Sequence, residues 1–197
     1  MVSRFKWLTV IFCLLIVNIA HADTNGAKDY IVNLGTQVVS VLKKDSDIND
    51  RVRGLKDVFA EEIDTQWIGK FVLGKYWRQA TPEQQEKFLK LYKDYLLLNY
   101  VPHFKNYTGE TFTVTNVRDD GDGEYLVQTQ ILRTNGEPPV KVDYRVRQKD
   151  SKYQIFDIIA EGISVITTHR SEFGSVIARQ GLDAFIDKLE VRVAKVN

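Results

Sequence analysis

The hydrophobic period of this chain changes twice, and the two changes bound its fold. Up to about Tyr107 apolar residues recur every three or four positions, from Thr111 they alternate every second position, and after Gly162 they return to helical spacing. Helices on both sides of one run of alternating strands predict an α+β domain. The expected form is a curved four-stranded antiparallel sheet covered by N-terminal and C-terminal helices, with helical segments over 27–107 and 166–195 and the sheet over 111–160.

The strands are the clearest part. Phe112 and Val114 alternate with threonines, Asp119 to Gly123 supplies a turn, and Tyr125, Val127, Thr129 and Ile131 alternate on the next strand. Asn135-Gly136 begins a second turn. Val140, Val142, Tyr144 and Val146 then face one way while Lys141, Asp143, Arg145 and Arg147 face the other, as a half-exposed antiparallel sheet requires. Asp150-Ser151-Lys152 leads into a fourth strand, Tyr153 to Ile159.

Among the helices, Ile31, Leu34, Val38 and Leu42 form one stripe. Ile48, Val52, Leu55, Phe59 and Ile63 form a second, reached through Asp45-Ser46-Asp47. Both read as ordinary surface-packed helices. A third segment, from about Asp64 to Arg78, is crowded with Trp67, Ile68, Phe71, Val72, Tyr76 and Trp77. Thr81-Pro82-Glu83-Gln84 is a capping box with proline at the first helical position. The stripe that follows, Phe88 to Tyr100, is broad, and Pro102 ends or kinks it. Near the C-terminus, Gly181 separates two short amphipathic segments.

The first residues read as a secretory leader. Arg4 and Lys6 precede an apolar run from Trp7 to Ile19, and Ala20-His21-Ala22 has the small-x-small form that signal peptidase reads, so cleavage is expected after Ala22. The apolar run is shorter than the ~20 residues a membrane span needs. Residues 1–22 are thus the expected signal peptide and 23–197 a single domain in the periplasm. Cleavage removes Cys13, the only cysteine, and takes the basic residues from 27 to 25 against 26 acidic ones. A chain so balanced is not a nucleic-acid binder.

Catalytic and metal chemistry find little support. Glu161-Gly162-Ile163-Ser164 is not a nucleophile elbow, because Ile166 stands where the second glycine belongs. His103 and His169 have no second histidine nearby and read as polar surface residues. Counted from Asp120, the sixth and twelfth positions of a calcium loop are Tyr125 and Ile131, so Asp120, Asp122 and Glu124 read as a hairpin turn. No cofactor or metal is expected. The best candidate for an enzyme acting on a hydrophobic substrate is Asp157, with no partner base or oxyanion device in view. From residue types alone, the aromatic and aliphatic excess between Phe71 and Tyr107 reads as a filled core.

Two blocks change that weighting. Leu73 to Phe88, L-G-K-Y-W-R-Q-A-T-P-E-Q-Q-E-K-F, continues to Y-L-L-L-N-Y ending at Tyr100; Tyr153 to Ile166, Y-Q-I-F-D-I-I-A-E-G-I-S-V-I, precedes H-R-S-E-F at His169 to Phe173 and G-L-D-A-F-I-D-K-L at Gly181 to Leu189. In order and spacing they resemble the toluene-tolerance, or Mla-pathway, family of periplasmic phospholipid-binding proteins, over nearly the whole mature chain. The chain departs from that pattern at Ile63, before Asp64, and at Tyr153, both of which keep apolar bulk.

The resemblance implies an apolar lipid-binding cavity between sheet and helices, and a monomeric carrier of diacyl phospholipid without enzymatic activity. It further implies transfer between the outer and inner membranes to maintain outer-membrane lipid asymmetry. The implied partners are an outer-membrane lipoprotein–porin complex and an inner-membrane ABC transporter complex. On this reading the acyl chains meet Phe71, Leu73, Trp77, Tyr92, Leu96, Tyr100 and Phe104 from the helical half. From the sheet they meet Phe112, Val127, Ile131, Val142, Tyr144, Val146 and Ile158, with Val165 and Ile166 at the start of the tail. The alternative is a periplasmic enzyme or chaperone acting on a hydrophobic substrate in the same cavity.

Overall fold

The structure, a computed structural model, describes residues 23–44 and 47–195. The expected signal peptide, residues 1–22, lies outside the described residues, as do Asp45 and Ser46 of the turn before the second helix. Among the described residues, no helix is long and apolar enough to cross a membrane.

Helix α1 (Thr24–Leu42) starts on Asp23, whose carboxylate accepts the Gly26 N–H at 2.8 Å and the Tyr153 hydroxyl at 2.7 Å. The cap therefore satisfies an orphan helix donor and ties the helix to a strand 130 residues away. Ala27, Ile31, Leu34, Val38, Val41 and Leu42 are its buried stripe. Helix α2 (Ile48–Glu62) is capped by Asp47 and fully buries Leu55 alone, so it lies on the surface. Helix α3 (Thr65–Leu73) starts on Asp64 and stops at Gly74, where the chain takes a positive φ of 54°.

A 3-10 turn, Gly74–Arg78, follows, so the segment read from sequence as running unbroken to Arg78 is two pieces. The break has a steric partner as well as a conformational one. A Cβ at position 74 would stand 2.9 Å from one terminal guanidinium nitrogen of Arg170, whose other terminal nitrogen donates to the Phe71 carbonyl at 2.6 Å.

Helix α4 (Pro82–Tyr100) begins with both halves of the capping box in place: Gln84 N–H to Thr81 Oγ1, and Thr81 N–H to Gln84 Oε1. It ends where Pro102 forces a 3-10 turn, Val101–Asn106.

Five strands follow: β1 (Thr111–Gly121), β2 (Glu124–Leu132), β3 (Val140–Lys149), β4 (Lys152–Ala160) and β5 (Ile163–Ser164), antiparallel and adjacent in chain order. The sequence reading expected four. The fifth is two residues long, made when Glu161 and Gly162, both at positive φ, turn the chain back onto β4. Helices α5 (Val165–Gln180) and α6 (Leu182–Ala194) close the domain, divided at Gly181.

Two of the sheet's three register shifts shape its faces. Between Val114 and Asn116 the β1–β2 register slips, which returns Val117 to the apolar face opposite Val127. Between Arg145 and Val146 the β3–β4 register slips past Phe156, leaving it without a partner on β3. Phe156 packs among helices instead, edge-on to Trp67 at 4.9 Å.

The apolar interior is accordingly double. One cluster is helical: α3, α4, α5 and α6 bury Phe88, Tyr92, Phe173 and Phe185 together with Phe156. The other lies between α1 and the sheet, with Leu55 and Val101 beside Tyr125, Val127, Val146 and Ile155. The division decides where a ligand could lie.

Candidate functional site

A cavity of about 320 Å³ opens beside the second cluster. One wall is α1, with Ile31, Leu34, Gly35, Val38, Val39 and Leu42; Phe59 of α2 and the 3-10 turn with Phe104 and Tyr107 form another; Phe112, Ile131 and Tyr144 are the sheet's contribution. The sheet residues fall in line because the register sets Phe112 opposite Ile131 and Tyr144 opposite Val127, and paired residues share a face. Phe59 and Phe104 pack as tilted rings 5.7 Å apart.

The wall is apolar and the rim is not. His103, Asn106 and Thr111 are exposed, and Glu110 is half-buried between them and the wall. Glu110 accepts the Thr108 N–H at 2.7 Å and the Thr108 hydroxyl at 2.9 Å. The backbone bond from Thr108 is the main cause that holds the Glu110 carboxyl below its usual range. Within the wall, burial pushes the Tyr144 phenol up to about 12, so it stays neutral.

Phe59 also borders a second, smaller cavity of about 50 Å³, lined by Ile63, Ile68, Leu96, Leu97, Tyr100, Val101, Ile155, Asp157, Ile158, Val165 and Ile166. Asp157 is its one carboxylate, and burial raises the pKa above the ordinary value. Its oxygens are engaged: it accepts the Ser164 hydroxyl at 2.7 Å and the Ile166 N–H at 3.3 Å, securing the first turn of α5 to β4. Such a carboxylate is a helix anchor, and no base stands within hydrogen-bond reach of it among the described residues.

Of the residues expected along acyl chains, Phe104, Phe112, Ile131 and Tyr144 meet at the larger cavity, and Leu96, Tyr100, Ile158, Val165 and Ile166 at the smaller one. Phe71, Leu73, Trp77 and Tyr92 lie at neither; Leu73 and Tyr92 belong to the helical cluster, and Phe71 and Trp77, partly buried, pack against it. Val127 and Val146 are fully buried beneath α1, and Val142, half-buried opposite Thr129 and Ala160, borders neither cavity.

The sequence reading missed the wall supplied by α1, the rim residues His103, Asn106 and Glu110, and Phe59. His169, which reads from the sequence as a polar surface residue, is inside the fold. His169 is buried, 5% exposed, with Nδ1 2.9 Å from the Tyr92 hydroxyl and its ring parallel to Phe173. His103, by contrast, is exposed. Among the described residues, no group of three His, Cys, Asp or Glu side chains is placed to hold a metal.

The profile of the family described as "MlaC protein" matches residues 33–191. The chain is 23% identical over 131 residues, 65% of its length and 61% of the relative's, to the intermembrane phospholipid transport system binding protein MlaC of Haemophilus influenzae. It is 27% identical over 144 residues, 72% of its length and 66% of the relative's, to the toluene tolerance protein ttg2D of Pseudomonas putida. The chain thus spans less than two thirds of the length of these curated relatives. Among solved structures, the phospholipid-binding protein of Ralstonia solanacearum, in complex with a phospholipid, has the same fold. The TM-score is 0.77 at 24% identity, covering 86% of this chain and 98% of that one.

Proposed function

Given that this chain belongs to the MlaC protein family, we propose that it is a periplasmic carrier of diacyl phospholipid, exported with cleavage after Ala22. The observation that carries the reading is the cavity: an apolar wall drawn from α1, α2 and the sheet, closed by a polar rim. A lipid's two regions need that division. Each methylene exposed to water costs ~0.8 kcal/mol, so two acyl chains free in the periplasm would cost well over ~20 kcal/mol. A carrier has to shelter both chains and still release them, and a wall that resembles hydrocarbon and specifies little does both.

The printed name of the Haemophilus influenzae relative supports this substrate class. The carrier moves lipid between outer and inner membranes and so maintains outer-membrane asymmetry. It docks in turn on an outer-membrane lipoprotein–porin complex and an inner-membrane ABC transporter complex. No catalytic step is assigned, because Asp157, the best acid in either cavity, is occupied in anchoring α5.

The test is extraction. Protein purified from bacteria without added ligand should yield close to one diacyl glycerophospholipid per chain by mass spectrometry. Folded, delipidated monomer that takes up no lipid would sink the reading. Acylated peptide in the extract would point to a chaperone.

A further inference from the structure

We infer that Glu110 sets head-group preference: the cavity mouth selects phospholipids whose head group carries an ammonium over those whose head group is anionic overall. The inference rests on the carrier reading above and goes beyond it, since that reading leaves the head group unspecified.

Glu110 is the only carboxylate among the residues that line the larger cavity. It is half-buried and belongs to the lining together with the exposed residues His103, Asn106 and Thr111, and a lipid whose chains occupy the apolar wall would leave its head group at that rim. Its orientation is fixed, because the Thr108 N–H and hydroxyl each bind one of its oxygens. An ionised carboxylate has about four lone-pair sites, so two remain free to accept further donors. No ion pair to Glu110 is formed among the described residues. Lys105, on the same 3-10 turn, is exposed and outside the lining. A preset, unpaired carboxylate at this place attracts an ammonium and repels a second negative charge.

The free sites accept hydrogen bonds, which refines the class. A primary ammonium, as in ethanolamine, carries N–H donors that can fill them. A quaternary ammonium, as in choline, brings the charge without a donor. A glycerol head group leaves only the phosphate charge, which Glu110 opposes. The pair is partly solvated, which holds the bias to roughly two- to fivefold.

The experiment delipidates the mature chain, refolds it, loads it from vesicles of equimolar phosphatidylethanolamine, phosphatidylcholine and phosphatidylglycerol, then quantifies each lipid bound after re-isolation. Wild type should be enriched in phosphatidylethanolamine over phosphatidylglycerol by roughly two- to fivefold, with phosphatidylcholine between them. Glu110→Gln keeps the shape and should bring the ratio to about one, and Glu110→Lys should reverse it. An unbiased wild type, or a Glu110→Gln variant as biased as wild type, overturns the inference. Total lipid per chain separates the two readings: loading with no bias refutes the role of Glu110 alone, whereas no loading of any lipid refutes the carrier itself.

Discussion

The ring of Phe112 lies on the backbone of Gly35, so closely that a Cβ at position 35 would collide with its Cε1 and Cζ. Both residues line the larger cavity, one from α1 and the other from β1, and the absent side chain lets helix and strand approach there.

Gly35→Ala should therefore act on loading more than on folding. Alanine gains roughly 1 kcal/mol of helix propensity over glycine, which offsets the cost of turning one aromatic ring. The displaced ring has the cavity beside it and should occupy part of it. The expected outcome is a melting temperature within a few degrees of wild type and bound lipid per chain reduced by half or more. Circular dichroism melting and lipid extraction check the two together; unchanged loading would mean that the ring escapes away from the cavity.

A charge on the sheet should have opposite consequences at two nearby positions. Ile131 borders the cavity, whereas Val142 on the neighbouring strand does not. Ile131→Glu places a carboxylate where an acyl chain would lie, at a desolvation cost of several kcal/mol. Water can enter an emptied cavity, so the protein should fold and carry at least ~10-fold less lipid. Val142→Glu should lower the melting temperature and leave loading of the folded fraction intact. Reversed behaviour of the two variants would place the lipid on another part of the sheet.

These positions also show how far the sequence could be read. The alternation of Val140 to Val146, the capping box at Thr81 and the stop at Pro102 are local patterns, and the structure has each where its chemistry requires. The lining was less legible. A stripe such as Ile31, Leu34, Val38 and Leu42 has the same spacing whether its neighbours are side chains or a cavity, and α1 therefore reads as an ordinary surface-packed helix. Conversely, Phe71, Trp77 and Tyr92 look like lining by size, but they lie in or against a second core to which α5 and α6 contribute. One signal did point to the cavity wall: a glycine inside a helix is costly, and at Gly35 the reason is Phe112. Nothing in the local sequence announces that Glu110 joins the cavity rim, because the bonds from Thr108 that fix it depend on the backbone conformation.

The last prediction concerns His169 and the stability of the helical cluster. Its imidazole is 5% exposed, accepts or donates at the Tyr92 hydroxyl, and is stacked 5.4 Å from Phe173. Burial, with a smaller contribution from Arg192, pushes its pKa down from 6.5 to about 4. Between these values the unfolded chain binds a proton that the folded chain refuses, so stability must rise with pH across that window and fall as acid is added. One pH unit inside it corresponds to about 1.4 kcal/mol, which gives about 2 kcal/mol between pH 7 and pH 5. Asp157, whose carboxyl is raised by burial, shifts stability in the opposite sense, and so the test has to be a difference. His169→Asn keeps a polar partner for Tyr92 and removes the titration. Urea unfolding of both proteins from pH 5 to pH 7.5 should give a wild-type minus variant stability that climbs with pH and levels off above about pH 6.5. A flat difference would mean that the imidazole titrates equally in the folded and unfolded chains and that the cluster is open to water.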